Sequence, residues 1–332
     1  MYYAGVIQPM YNSWEEYGYD YFLGRIFWAS GFADVEEHID KTYRNYDNLL
    51  SDIGHWHKLK WDMNSMSQEI LNAPETRPDD YKTLYNRGLE FYRSRDLDQA
   101  IANWTEALRI KSDDLEGLYS RGIAYDEKGD LDKAIADYSN MIQINSNYHV
   151  PYHNRGQAHA GRGDYVQAIA DYSEALRIRP DNFKTLSARA YAFYEIGDLY
   201  SAIADYTAVI KLRPNPIEAL LGRASMYYNL DYNDSAIEDY SKVLNIRPEY
   251  YYALYNRGLA HYWNRDFDSA IEDFSAVLRV EPDDSDSLYQ RGIAYYRKGD
   301  IDRAIADWEE ILRIDPNNEK ARQALEEVSV ML

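Results

Sequence analysis

The stretch that decides the fold is SDSLYQRGIAYYRKGDIDRAIADWEEILRIDPNN, residues 285–318, and its pattern occurs six times earlier in the chain. Each copy spans 34 residues, with an Arg-Gly or Arg-Ala pair at positions 7 and 8 and an Ala-Ile pair at positions 20 and 21. The copies begin at residues 81, 115, 149, 183, 217, 251 and 285. So strict a period predicts a stacked array in which each unit buries its apolar face against its neighbours.

Two helices are expected in each repeat. Apolar or small side chains recur at positions 4, 8 and 11 and again at 20, 24 and 27, a spacing that forms one face of an α-helix. Small residues at positions 8 and 20 allow close approach of the two helix backbones. Glycine at position 15 of four repeats and proline at position 32 of five predict where the helices end.

This 34-residue helix-turn-helix, with small residues at positions 8 and 20 and aromatic residues at 24, resembles the tetratricopeptide repeat (TPR) family over residues 81–318. Leucine at position 4, where the family has tryptophan, and Ser112 and Ser146 in place of proline are minor departures. The resemblance implies an all-α, right-handed superhelical solenoid of seven units whose inner surface is lined by the first helix of each pair. Residues 319–332 are expected to form a C-terminal capping helix.

The amino-acid composition disfavours some classes of partner and bears on the cellular compartment of the protein. The 332 residues include 56 acidic and 36 basic side chains, a net charge of −20, which disfavours nucleic acid and anionic membranes. Cysteine is absent, which excludes thiolate catalysis. No transmembrane run or signal peptide is evident, so we expect a soluble protein, either cytoplasmic or exported with its signal removed.

Arginine at position 7 and aspartate at position 23 suggest a structural ladder. We expect each arginine to pair in a bidentate contact with an aspartate of its own or a neighbouring repeat. The alternative is a row of arginines that binds a phosphate or carboxylate ligand, but a ligand site seldom recurs seven times. The arginines are Arg87, Arg121, Arg155, Arg189, Arg223, Arg257 and Arg291. The aspartates are Asp137, Asp171, Asp205, Asp239, Asp273 and Asp307.

The TPR resemblance places positions 2, 5, 6, 9, 12 and 13 of the first helices on the concave face, where tyrosine and amide side chains could hold a peptide. The candidates are Tyr85, Asn86, Tyr92, Tyr119, Asn154, Tyr194, Tyr228, Tyr252, Tyr255, Asn256, Tyr262, Tyr289, Gln290 and Tyr296. Alternatively, tyrosines at positions 5 and 12 pack against the adjacent first helices. The carboxylate clamp of chaperone-binding relatives is absent, since position 5 is never lysine. An acidic scaffold favours a neutral or basic protein segment.

Residues 1–80 do not follow the period, and their aromatic-rich, amphipathic pattern predicts helices. They could cap the array, dimerise to give a homo-oligomer, or occupy the groove. No phosphate loop, nucleophile elbow or dinucleotide fingerprint occurs, so we expect neither enzyme activity nor a cofactor or metal. The sequence thus favours a non-catalytic adaptor with a peptide-binding groove. The alternatives are an assembly component that acts through its N-terminal helices, and a subunit that binds a small ligand in a tyrosine-lined groove.

Overall fold

The computed structural model describes residues 80–331, so the expectations for residues 1–79 lie outside the described residues. The described part contains fifteen α-helices and no strand. The helices are α1 (Tyr81–Arg93), α2 (Leu97–Ile110), α3 (Leu115–Glu127), α4 (Leu131–Ile144), α5 (His149–Gly161), α6 (Tyr165–Ile178), α7 (Phe183–Glu195), α8 (Leu199–Leu212), α9 (Ile217–Asn229), α10 (Asn233–Ile246), α11 (Tyr251–Trp263), α12 (Phe267–Val280), α13 (Ser285–Lys298), α14 (Ile301–Ile314) and α15 (Glu319–Met331).

The described residues divide into two compact units, residues 80–130 and 131–331. In the first unit, α1 packs on α2 and α2 on α3. In the second unit, each helix from α4 to α15 packs on the next, and neighbouring first helices also touch, α5 with α7 and α11 with α13. The predicted all-α architecture of consecutively packed helices is confirmed for the described residues.

Where position 8 is glycine, the aromatic ring at position 24 lies against it and leaves no room for a side chain. A Cβ atom added to Gly292 would lie 2.5 Å from the indole nitrogen of Trp308, and one on Gly156 would lie 2.7 Å from the ring of Tyr172. These rings are buried, as is the alanine at position 20 of every repeat. The small residues therefore let each pair of helices close around one large side chain.

The turn between the two helices of a repeat needs one residue in the left-handed conformation. The position-15 glycines have φ values of 81° to 90°. In repeats one, five and six the same position is Arg95, Asp231 or Arg265, with φ values of 60° to 64°. The backbone thus keeps its path where the sequence lacks glycine, although a side chain makes that conformation unfavourable.

The last helix, α15, covers the end of the second unit. It buries Ala321, Ala324 and Val328 in a cluster with Leu288 and Trp308. Its opposite face is polar and exposed, which suits a terminal helix.

Candidate partner-binding face

The arginines of five repeats form one recurrent contact in the second unit. Each guanidinium donates from Nε and Nη2 to the two carboxylate oxygens of the position-23 aspartate in its own repeat, at 2.6–2.9 Å. The pairs are Arg155–Asp171, Arg189–Asp205, Arg223–Asp239, Arg257–Asp273 and Arg291–Asp307. The aspartate side chains are only 2–9% exposed. These guanidiniums are therefore occupied within the scaffold.

A third contact links successive repeats. The remaining arginine nitrogen, Nη1, donates to a hydroxyl at position 25 of the preceding repeat, at 2.9–3.1 Å in the second unit. The acceptors are Ser139, Ser173, Thr207, Ser241 and Ser275. In the first unit, Arg121 makes the same contact with Thr105 at 3.2 Å.

Sequence reasoning missed this hydroxyl, although the signal was present. Position 25 is serine or threonine in repeats one to six and Glu309 in repeat seven. The helix after repeat seven has Leu325 where an arginine would stand. The hydroxyl therefore occurs only where an arginine follows it.

The ends of the ladder differ from its middle. Arg87 is exposed at the start of the array. Position 23 of its repeat is Asn103, whose amide donates to the carbonyl of Gln99 at 2.8 Å. Asp137 of repeat two is buried in α4.

We use the term groove face for positions 2, 5, 6, 9, 12 and 13 of the first helices. In the first unit its tyrosines bind the next first helix. The Tyr85 and Ser120 hydroxyls are hydrogen-bonded at 3.2 Å, and Tyr92 donates to Glu127. Both tyrosine rings also pack near Trp104.

Asn86 and Tyr119 of the first unit are half-buried. In the second unit, repeats three to five carry fewer large side chains on the groove face, and Asn154 is half-buried. Tyr194 lies 6.4 Å from the ring of Tyr191. Aromatic density rises again after this segment.

In repeats six and seven, tyrosines pack into the scaffold. The Tyr255 ring stacks on Tyr251 at 6.0 Å and meets the edge of Phe274 at 5.7 Å. Its hydroxyl lies near Gln290 of the next repeat. Burial raises the pKa of Tyr255, so the hydroxyl stays protonated at neutral pH.

Other candidates in these repeats also have local partners. The Tyr252 hydroxyl is hydrogen-bonded to Ser225 at 3.1 Å, and the Asn256 amide donates to the Tyr252 carbonyl at 2.7 Å. Tyr289 and Tyr296 are half-buried, and the Tyr296 ring lies 6.2 Å from Trp308. Several tyrosines of the groove face thus contact neighbouring first helices.

The exposed aromatic of this face is Trp263, which sequence reasoning did not select. Its side chain is 63% exposed, and its Nε1 donates to the Tyr228 hydroxyl at 2.9 Å. Tyr262 lies perpendicular to it at 5.5 Å and accepts from Arg297 Nε at 3.3 Å. Position 13 belonged to the expected groove, so its single tryptophan was the available signal.

The described residues contain no cluster of three or more metal-binding side chains. Within residues 80–331, no helix combines the length and apolar character needed to cross a membrane.

The chain belongs to the tetratricopeptide repeat family. One family profile matches residues 85–149, 187–251 and 255–319, and a second matches residues 150–182. The predicted resemblance is thereby confirmed. Proteins of this family generally bind protein or peptide partners, and their fold is typically a non-catalytic interaction scaffold.

Several solved structures share this fold. The C-terminal part of a TPR protein from Cytophaga hutchinsonii is 20% identical, with a TM-score of 0.65 over 73% of this chain and 99% of that one. A TPR protein from Parabacteroides merdae is 18% identical, with a TM-score of 0.53 over 74% and 97%. YrrB, described as a TPR protein with an unusual peptide-binding site, is 16% identical, with a TM-score of 0.51 over 57% and 97%. Such identities establish the fold alone. No curated protein matches the chain in sequence.

Proposed function

We propose that this protein is a non-catalytic adaptor that binds an extended segment of another protein along the groove face. The anchor is the aromatic edge of repeats five and six, formed by Tyr228, Tyr262 and Trp263. The single observation that carries this proposal is the exposure of Trp263 in a fixed orientation.

An exposed tryptophan that is held in one orientation is well suited to binding a protein partner. Tryptophan and tyrosine provide large contact areas with few rotatable bonds, and they dominate the binding energy of many interfaces. The hydrogen bond from Trp263 to Tyr228 limits the motion of the indole before a partner arrives, which lowers the entropy lost on binding. The ring face of Trp263 is then available to an apolar side chain of the partner.

The bonded tyrosines support the same function indirectly. Tyr262 of repeat six accepts a hydrogen bond from Arg297 of repeat seven, and Tyr255 lies near Gln290 of the same repeat, so these contacts help to fix the spacing of the first helices. When the spacing of the first helices is fixed, the side chains of the aromatic edge keep one arrangement before a partner binds. The acidic balance of the chain favours a neutral or basic segment as the partner.

The test begins with a random 12-residue peptide library displayed on phage and selected on the full chain. The affinity of a selected peptide is then measured by calorimetry for the wild type, Trp263→Ala and Gln290→Ala. We expect Trp263→Ala to weaken binding by tenfold or more, which corresponds to about 1.4 kcal/mol. Gln290→Ala should have a smaller effect, since its amide braces Tyr255.

Val280→Ala is the control, because Val280 is 57% exposed but lies at the end of α12, a second helix, away from the groove face. If selected peptides keep their affinity for Trp263→Ala, or lose it with Val280→Ala instead, the groove assignment is wrong. Substituting Tyr255 by alanine is a poor test, since its ring packs against Phe274. Tyr255→Phe retains that packing and removes only the hydroxyl.

A further inference from the structure

A second set of contacts joins the turns of successive repeats. Position 18 of one repeat accepts a hydrogen bond from position 14 of the next. In the second unit, Arg162 donates to Asp132 at 2.6 Å, Asn264 to Asp234 at 2.6 Å, and Lys298 to Asp268. In the first unit, Lys128 donates to Asp98. We refer to these contacts as polar rungs.

Two successive rungs are apolar instead. Val166 and Ile196 occupy the rung positions between repeats three and four, and Tyr200 and Leu230 occupy those between repeats four and five. Val166 is 66% exposed, Ile196 46% and Tyr200 63%. Tyr232, 49% exposed, extends the surface, and its hydroxyl lies 3.3 Å from that of Tyr200. We define Val166, Ile196, Tyr200 and Tyr232 as the turn patch.

Repeat five lacks a stabilising side-chain helix cap at this patch. Tyr232 stands at position 16, which is aspartate in the other six repeats, and its side chain does not cap α10. An aspartate there, as in Asp198 or Asp266, accepts from the backbone three residues later. Local rules of stability are most often broken where a surface serves another purpose.

The patch differs from the other exposed apolar residues of the array. Position 30 is aliphatic in all seven repeats, and several of these side chains are 41–57% exposed. These position-30 residues recur in every repeat, so they do not mark any one place along the chain. The turn patch is confined to repeats three to five, so it marks one place along the chain. Exposed apolar side chains grouped in this way often mark a contact with a partner.

Charge identifies the class of partner. The turns at residues 195–200 and 229–234 contain four acidic residues and no lysine or arginine, whereas each of the other five turns contains at least one basic residue. Two of the acids bond to neutral groups, Asp198 to Ser201 and Asp234 to Asn264. Their negative charge is therefore retained beside the apolar side chains.

We propose that the turn patch is a second docking surface, for a protein segment that carries aliphatic or aromatic side chains flanked by lysine or arginine. The apolar side chains would cover the four patch residues, and the basic ones would face the acidic turns. A second copy of this chain is a poor occupant, since two such acidic surfaces repel each other. This surface lies on the turns and does not depend on the groove face.

The test uses the full chain and a fluorescein-labelled 14-residue peptide of leucine and lysine. Two versions of the peptide replace leucine by serine or lysine by glutamate. The rung variant, Val166→Asp with Ile196→Lys, Tyr200→Asp and Leu230→Lys, rebuilds the polar rungs of the other repeats. Fluorescence anisotropy at physiological salt should show at least tenfold weaker binding of both altered peptides to the wild type, and of the original peptide to the rung variant.

Trp263→Ala should leave this binding unchanged, which separates the patch from the groove face. Val166→Ser with Tyr200→Ser alters only exposed side chains and should weaken binding as well, so the test holds even if the rung variant misfolds. Equal binding of the glutamate or serine peptide, or undiminished binding by both patch variants, would overturn the proposal. So would a wild-type dimer in sedimentation that the patch variants abolish, because it would assign the surface to a second copy.

Discussion

Removing Arg189 tests whether the arginine ladder stabilises the array. Asp205 has a side chain only 8% exposed and accepts two hydrogen bonds from Arg189, at 2.8 Å each. Arg189→Ala leaves this carboxylate buried without its cation, which typically costs about 3–5 kcal/mol. Asp205→Ala should cost less, about 1.5–3 kcal/mol, because Arg189 is 22% exposed and keeps its bond to Ser173. The double variant should lose less than the sum, by about 1–3 kcal/mol.

The measurement is urea unfolding followed by circular dichroism for the wild type, both single variants and the double variant. Arg223 supplies an internal comparison, since Lys242 Nζ lies 3.1 Å from its partner Asp239 and keeps a cation there after Arg223→Ala. That substitution should therefore leave a smaller electrostatic penalty than Arg189→Ala. Strict additivity of the Arg189 and Asp205 substitutions would refute the ladder as a coupled pair.

Three further outcomes follow from packing, backbone conformation and burial. Gly292→Ala should destabilise by about 1–3 kcal/mol in thermal unfolding, because the new methyl meets Trp308 at 2.5 Å; an unchanged melting temperature would contradict the steric role of position 8. Arg265→Gly should stabilise by about 0.5–1 kcal/mol in urea unfolding by relieving the left-handed φ of 62°, and a loss of stability would refute this reasoning. Burial lowers the pKa of His153 to about 4 from an ordinary 6.5, and its Nδ1 lies 3.0 Å from Thr185 Oγ1. Since only the unfolded chain takes up the proton as pH falls from 6.5 towards 4, stability should drop by up to about 3 kcal/mol. His153→Gln should lessen that pH dependence, and an identical slope for both proteins would show that His153 does not cause it.

Much of the fold was predictable from the 34-residue period, because each local signal recurs. Helices span positions 1–13 and 17–30 in nearly every repeat, as the apolar spacing and the turn residues indicated. The turns of repeats one, five and six are exceptions, because a residue other than glycine takes the left-handed conformation there. Arg265 takes the left-handed conformation that the sequence signals only at glycine, since packing on both sides imposes the turn.

The site was less predictable, because it depends on features that occur once. Arginine and aspartate recur and were selected together, but the serine or threonine that completes each contact lies sixteen residues before its arginine in a different repeat. Its role becomes visible only when the helices are stacked. Trp263 and Tyr200 have no counterpart in other repeats, and their exposure follows from packing that no periodic pattern encodes.

The central claim is that the groove face of repeats five to seven binds the partner, and one comparison tests it most directly. The dissociation constant of a phage-selected peptide should be measured for the wild type, Trp263→Ala and Val280→Ala, which alter residues that are 63% and 57% exposed. The claim predicts at least tenfold weaker binding for Trp263→Ala and an unchanged constant for Val280→Ala, which lies outside both proposed surfaces. An unchanged constant for Trp263→Ala would contradict it.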